Sequence, residues 1–592
     1  MSDQTIQSRD VTVASVFQDF YVVPDYQREY VWESEQVDQL LGDIRGEQVG
    51  SEAGVEAPEY FIGSIVVCPN HAGTLDLIDG QQRMTTLYLT LCAVRDMLGQ
   101  GAPEMLRPQI ASTSIDVAGN ELFRYRLDLQ YPDSGGVLES IAAGSHPAPS
   151  LRSKSITNLL NAYETAARFL RTEVGDDPVK IRAFYGYLMN KVKLIRIQTE
   201  DVAKALKIFE TINDRGKGLD AMDLLKNLLF MKASQPQFDQ LKSTWKKMQD
   251  IIHDIGEKPL RFLRYFIFSR YEVELLREDE IYGWLSRHPE TGYTADPIGF
   301  ADELLKAASA YRNFLRGMDE NGTRNRYLEN LRILGGKAAR QHLILLLAGR
   351  HLPPELFDRL AKEVEELFFV YVITREPTRD FERDFARWTT ELASVFDADA
   401  LDALIARRFT PAKAKLSERF DDAFRRMYAH SVQGYRLRYI IAKLTQRVEL
   451  DAYGETETSK WLSPFIENAY EIEHIFPQGA SETAKDEFGP FTDTAIVQRL
   501  GNLVLVEQGI NASLGNRPYS HKRQVYPKSR HLLTRSISEI QRVGQAGRID
   551  RAVSSFTAFE EWNEANVERR QAELGLLARR TWDVPQAQGP PI

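Results

Sequence analysis

The residues with the clearest chemical potential lie toward the C-terminal end of the chain. Glu473-His474-Ile475-Phe476-Pro477 closes a strand-like run; after a polar loop Gly501-Asn502-Leu503-Val504-Leu505-Val506 opens another, and Asn511 follows nine positions after Asn502. Phosphodiester hydrolysis needs a water deprotonated by a general base, and a neutral imidazole, with an ordinary pKa of about 6.5, suits that task near neutral pH. The same reaction builds charge on the phosphate and the leaving oxygen. A hard divalent cation such as Mg²⁺ or Mn²⁺ offsets that charge and prefers carboxylate and amide oxygens like those of Glu473 and Asn511. His474 is therefore the candidate base, Glu473 and Asn511 are the candidate metal ligands, and Asn502 orients the histidine or fixes the hairpin. Lys522 and Arg523, within Ser520-His521-Lys522-Arg523, stand where they would steady a phosphate. Asn516 is a lesser candidate for the loop or the metal shell.

A Glu-His pair at a strand end is, by itself, ordinary packing chemistry. It gains meaning from the two asparagines and from the basic stretch behind them, an order of parts matching an HNH nuclease hairpin and its following helix. No HExxH occurs in the chain, which leaves a zincin-type protease unsupported.

A second constellation lies near the N-terminus. Asp79-Gly80-Gln81-Gln82-Arg83 sits where a strand turns into a helix: glycine permits the tight turn, the free amides of a helix start attract anions, and Arg83 can fork onto a phosphate. Tyr26-Gln27-Arg28, inside the aromatic-rich Val23 to Trp32 segment, has a composition suited to stacking on a base and bonding its edge; packing on a core is the plainer alternative. Phe209 to Leu219 ends a helix in a polar, glycine-bearing turn containing Asn213 and Arg215, and Asp223 to Asn227 follows on the next helix. The chain has no GxxxxGK[ST], so a nucleotide site here must use a geometry other than the P-loop.

These motifs need elements to hold them. Tyr60 to Val67 and Leu75 to Ile78 read as strands, with a helix beginning near Gln81 and a further strand at Val192 to Ile197. Between Gly99 and Ser155 the density of Gly, Pro and Ser predicts an insertion or long loop rather than core. From about 231 to 430 apolar residues recur three and four apart, as in Ala301 to Arg316 and Leu360 to Arg375, which predicts helices. The last stretch returns to strands at Tyr470 to Ile475 and Asn502 to Val506, closes with a helix near Phe556 to Arg580, and ends in a tail from Pro585 that composition reads as disordered.

The balance of 74 Lys and Arg against 84 Asp and Glu gives a net charge of -10, which excludes an evenly basic nucleic-acid binder but not a local basic site. Such a site exists: residues 499 to 551 hold ten Lys or Arg and three Asp or Glu, a balance of +7, leaving -17 on the rest. Two cysteines, Cys68 and Cys92, exclude a disulfide framework and a cysteine-rich zinc site. With no apolar run long enough to span a membrane and no signal-like start, the reading is a cytoplasmic protein with no membrane partner.

Taken together, Tyr26-Gln27-Arg28, Gly63-Ser64, Asp79 to Arg83, the Phe209 to Gly216 turn and the Glu473 to Asn511 hairpin resemble the GmrSD family of modification-dependent restriction enzymes. The resemblance covers roughly residues 10 to 230 and 430 to 560. It implies an α+β, predominantly helical chain: a ParB/sulfiredoxin-like N-terminal domain, a helical middle and a ββα-metal (HNH) C-terminal domain. The corresponding segments are 1–230 for nucleotide binding and sensing of DNA modification, 231–430 for helical coupling and 431–592 for the nuclease. By position, the resemblance assigns Asp79, Gly80, Gln81, Gln82 and Arg83 to a site for a nucleoside triphosphate (GTP, ATP or another NTP), with Asn213 and Arg215 near it. It puts Tyr26, Gln27 and Arg28 at the nucleotide or modified-DNA pocket. Many HNH enzymes have Asp where this chain has Glu473, and the longer side chain would shift the metal slightly.

The function expected is an NTP-regulated endonuclease that nicks or cuts modified double-stranded DNA in anti-phage defence, with NTPase activity. The rival reading is a nucleotide-binding DNA sensor that blocks replication or recruits partners without cutting. A homodimer is compatible with either.

Overall fold

The computed structural model describes residues 7–586 apart from 25–26, 28, 50–57, 71–72, 116–118, 132–135, 146–152, 201–203, 206–207, 209–220, 274–275, 468 and 541–546. The chain is predominantly helical with one mixed sheet and two short hairpins. It divides into two compact units, Met1–Trp245 with Tyr282–Ala301 and Lys246–Ile281 with Asp302–Ile592. Most of the helical stretch expected to couple the two ends thus shares its unit with the C-terminal hairpin. The expected C-terminal tail falls largely outside the described residues. Among those described, no helix is long and apolar enough to cross a membrane.

The first unit is built on a sheet of β1 (Gln7–Thr12), β2 (Tyr21–Val23), β3 (Tyr60–Pro69), β4 (Leu75–Asp79), β7 (Leu127–Leu129) and β8 (Val192–Gln198), in the order β1-β8-β3-β4-β2-β7. A separate hairpin, β5 (Ala111–Ile115) with β6 (Glu121–Tyr125), precedes β7 in the chain. The β-branched run Ile65-Val66-Val67 makes the middle of β3 buried, and β3 pairs antiparallel with β4 and parallel with β8. The register of β3 against β4 shifts between Val66 and Val67. That irregularity lies opposite Asp79, where β4 gives way to the helix Gln81–Leu98. This helix is buried nearly all round, with Met84, Leu87, Tyr88, Leu91 and Val94 inaccessible to solvent and Gln81, Gln82, Thr85, Thr86 and Thr90 buried beside them.

One sequence expectation is corrected. Gly99 to Ser155 is not an insertion lying outside the core: it supplies the edge strand β7 and the helices Leu106–Ile110 and Val137–Ala142, whose Leu106, Ile110, Leu127, Leu138 and Ile141 join the main apolar cluster. Its Gly, Pro and Ser residues punctuate short elements rather than forming one loop.

In the second unit, β9 (Tyr470–His474) pairs antiparallel with β10 (Leu503–Glu507), placing His474 opposite Leu503 and Glu473 opposite Val504. The helices Gln508–Leu514 and Tyr519–Val525 follow directly. Ile475, Phe476, Val504, Val506, Leu514, Tyr526 and Trp562 form a buried cluster beneath them.

Candidate functional site

Strand alternation puts Glu471 and Glu473 on one face of β9. The amide Nδ2 of Asn511, on the helix that follows β10, donates to the Glu471 carboxylate. Its Oδ1 is buried and has no hydrogen-bond partner among the described residues. A buried amide oxygen without a donor is costly unless a ligand completes it. Its oxygen chemistry fits a hard cation.

His474 sits at the end of the same strand. The Gln478 amide lies 3.1 Å from its Nε2; as that amide donates, the ring nitrogen accepts, as a neutral imidazole can. Burial and the neighbouring Lys522 ammonium hold the His474 pKa below its ordinary value, with a hydrogen bond to Gln498 opposing them. The ring is thereby kept in the unprotonated state that a general base requires.

Two of the expected roles are revised by the geometry. Lys522 is fully buried: its Nζ donates to Glu473 Oε1 and, at 2.8 Å, to the His474 carbonyl. It is committed to the hairpin rather than extended toward a phosphate. Burial raises the Glu473 pKa and lowers that of Lys522, and each charge counteracts the shift of the other. Asn502 is also fully buried and does not orient the imidazole. Its Oδ1 accepts from the Phe476 amide at 2.7 Å and the Trp562 indole at 3.0 Å, and its Nδ2 donates to the Phe476 and Val497 carbonyls at 2.9 Å each. Of its two expected roles it takes the second, pinning the crossing between β9 and β10. Arg523 pairs with Glu560 at 2.5 Å, and Asn516 lies beside Gly479 in the loop after the hairpin.

In the first unit, Gly80 has φ of +86°, and a Cβ there would meet Ile65 Cγ2 at 2.5 Å and the Ser64 carbonyl at 3.1 Å, so the turn from β4 into the helix needs glycine. The Gly80 amide donates to Asp79 Oδ1 at 2.6 Å. Gln82 accepts from the amides of Val31 and Trp32 at 2.9 and 3.2 Å and donates to the Glu29 carbonyl at 3.1 Å, clamping the aromatic segment. Arg83 departs from expectation: its guanidinium donates to the Ile62 and Ser64 carbonyls at 2.6 and 2.8 Å, packed over Gly63, whose φ is +104°. It staples the helix to β3. Two polar ends stay open: Gln81 Oε1 and Gln27 Nε2 are buried without a hydrogen-bond partner among the described residues. Tyr26, Arg28, Asn213 and Arg215 lie outside the described residues.

Comparison with known families now bears on both sites. The model of the GmrSD restriction endonuclease N-terminal domain matches residues 11–230, and that of the C-terminal domain matches residues 415–576. The chain belongs to the GmrSD restriction endonuclease family. No curated protein matches it. As a GmrSD restriction endonuclease it acts on DNA, and the two constellations fall one in each matched segment.

Several residues of this GmrSD chain were not singled out from the sequence. Glu471 holds Asn511, Gln478 meets the His474 ring, Trp562 anchors Asn502, and the buried Arg570 donates to the Gly501 and Leu503 carbonyls at 2.6 and 2.8 Å. Only Glu471 had a signal, since Tyr470-Glu471-Ile472-Glu473 alternates and so places both carboxylates on one face. Among the described residues no group of three or more His, Cys, Asp or Glu side chains is arranged for a metal ion. The candidate ligands for a cation are the open Asn511 oxygen and Glu473, whose Oε1 already accepts from Lys522, so a cation held there would keep several waters, a habit typical of Mg²⁺.

Proposed function

We propose that this GmrSD restriction endonuclease cleaves DNA by divalent-cation-dependent hydrolysis at the β9–β10 hairpin, read as the ββα-metal arrangement of HNH nucleases. The observation that carries the reading is the His474 ring, its Nε2 accepting from Gln478, at the end of the strand whose Glu473 shares a face with the Asn511-bound Glu471. His474 accepts the proton of the attacking water through Nε2, and Gln478 holds that nitrogen until the water arrives. Asn502 keeps the crossing rigid, so that base and carboxylate retain their spacing. Lys522 sets the electrostatics: its charge keeps His474 unprotonated and compensates the buried Glu473. Glu473 and the Asn511 oxygen would hold the Mg²⁺ or Mn²⁺, which when bound supplies charge stabilisation for the phosphate and the leaving oxygen.

The N-terminal unit, read as ParB/sulfiredoxin-like, would sense nucleotide and modified DNA. The support is the open buried amide end of Gln81, next to the Asp79-Gly80 turn, and that of Gln27 in the aromatic segment. Polar ligand groups such as a ribose, a base edge or a phosphate would complete them, with Arg83 acting as the staple of the turn rather than a phosphate ligand. The reading is tested with matched plasmids, each bearing one DNA modification, incubated with and without each NTP. NTP-responsive cleavage confined to modified DNA is the expected outcome, and equal cleavage of unmodified DNA whatever the nucleotide would remove the sensing half. The non-cutting DNA sensor stands as a second reading because Lys522 occupies the Glu473 carboxylate. It predicts binding to modified plasmid with no nick under Mg²⁺ or Mn²⁺.

A further inference from the structure

The second unit contains a cavity of about 760 Å³ that neither constellation touches. Its walls come from the end of helix Pro354–Ile373, helix Ser417–Arg425, the turn Ala429–Ser431 and the start of helix Gly434–Tyr453. Four arginines line it, Arg375, Arg419, Arg426 and Arg436, with His430 alongside and Asp422 as the acidic lining residue. Asp422 already pairs with Arg425 at 2.6 Å, and Arg419 pairs with Glu376. Arg375, Arg426 and Arg436 have no carboxylate partner among the described residues.

Two other cavities of the unit are also lined by basic residues, with more acidic residues in their walls. One, which Arg426 also lines together with Arg425, Arg499 and Arg579, has Asp421 and Glu568 in its wall, and Arg579 pairs there with Asp421 at 2.6 Å. In another, Arg326, Lys362 and Lys443 pair with Glu455, Glu366 and Glu365 of the same wall.

Two further features converge on the uncompensated cavity. Arg375 has φ of +55°, one of two non-glycine residues in the left-handed region among those described, and its guanidinium donates to the Ser431 carbonyl at 3.0 Å, tying two walls together. The left-handed conformation itself ends the helix Pro354–Ile373, the Glu376 amide donating to the Tyr371 carbonyl and the Arg375 amide to the Val372 carbonyl, and it directs the Arg375 side chain from the helix end to the turn. The helix Gly434–Tyr453, twenty residues long, begins at the cavity with Gln433 as its N-cap and no side-chain cap, so its positive dipole end adds to the arginines.

We propose that this cavity is a phosphate-binding site, in which the guanidinium forks of Arg426 and Arg436 take phosphate oxygens. The phosphates belong to a DNA strand passing the nuclease unit or to a free polyphosphate such as that of a nucleotide. The site is independent of the roles given to His474, Gln81 and Gln27. The test measures binding of inorganic tripolyphosphate and, separately, of an unmodified duplex oligonucleotide to the full chain in EDTA, comparing wild type with Arg426→Ala and Arg426→Glu. Among the described residues Arg426 has no side-chain partner to lose, so melting temperatures should stay equal. Affinity should fall roughly tenfold for Arg426→Ala, the size of one charge-assisted contact, and further for Arg426→Glu. A loss confined to tripolyphosphate assigns the site to a free polyphosphate. A loss with the duplex, accompanied by a salt-dependence slope reduced by about 1, assigns it to the strand. If neither probe is weakened by either substitution, the proposal is wrong.

Discussion

His474 is kept neutral by burial and by the Lys522 ammonium, and both influences have measurable consequences. Because its pKa is depressed in the folded chain, the unfolded state binds the proton more tightly. Its contribution to stability is present above about pH 6.5 and is lost as pH falls through the folded value. The acid limb of the cleavage rate should therefore lie below pH 6.5, and an NMR titration of His474 should give the same midpoint. Lys522→Met should move that midpoint up toward the ordinary value. The same substitution strands a buried carboxylate and should destabilise the fold by about 3–5 kcal/mol in denaturant unfolding, with part of the loss recovered by adding Glu473→Gln. Residue types single out His474 and Glu473 as candidates, but not Lys522's partner. Ser520-His521-Lys522-Arg523 looks like a solvated basic run, and only the packing of its helix on β9 turns Lys522 inward while Arg523 reaches Glu560 near the surface.

The elements were more legible than the contacts between them. Strand patterning located β3, β4, β8, β9 and β10 to within a residue or two, since β-branched runs and alternation are local signals. What Arg83 and Asn502 bind depends instead on which backbone a strand pairing brings within reach. Asn502 and Asn511 are the same residue type nine positions apart, yet one is walled in by Phe476, Val497 and Trp562 while the other keeps an open oxygen. The Gly99 to Ser155 segment was misread because turn residues outnumber the few apolar side chains that carry it into the core. Asn502→Ala should cost about 1–3 kcal/mol for each buried group left unsatisfied, and it should abolish cleavage through loss of hairpin order, visible as faster amide exchange in β9 and β10. Gly80→Ala forces a Cβ against Ile65 at a positive φ and should destabilise the first unit by about 1–3 kcal/mol or more, read from its unfolding midpoint.

On the scale of the whole molecule, the net charge of -10 combines +7 over residues 499–551, which include β10 and the helices after it, with -17 elsewhere. Such a chain should bind unmodified duplex weakly, with an affinity that falls steeply as salt rises because only the local basic surface contributes. Fluorescence anisotropy across a salt series checks this, and tight, salt-insensitive binding of unmodified duplex would contradict it. The chain divides into two compact units, each bearing one constellation. The claim on which the rest depends is that His474 is the base of a DNA-cleaving site. The most direct measurement incubates wild type and His474→Ala with modified supercoiled plasmid and Mg²⁺ or Mn²⁺, and resolves the products on a gel. Wild type should convert the plasmid to nicked or linear form while His474→Ala, equally folded and equally able to bind it, leaves it supercoiled; cleavage by both at the same rate would contradict the account.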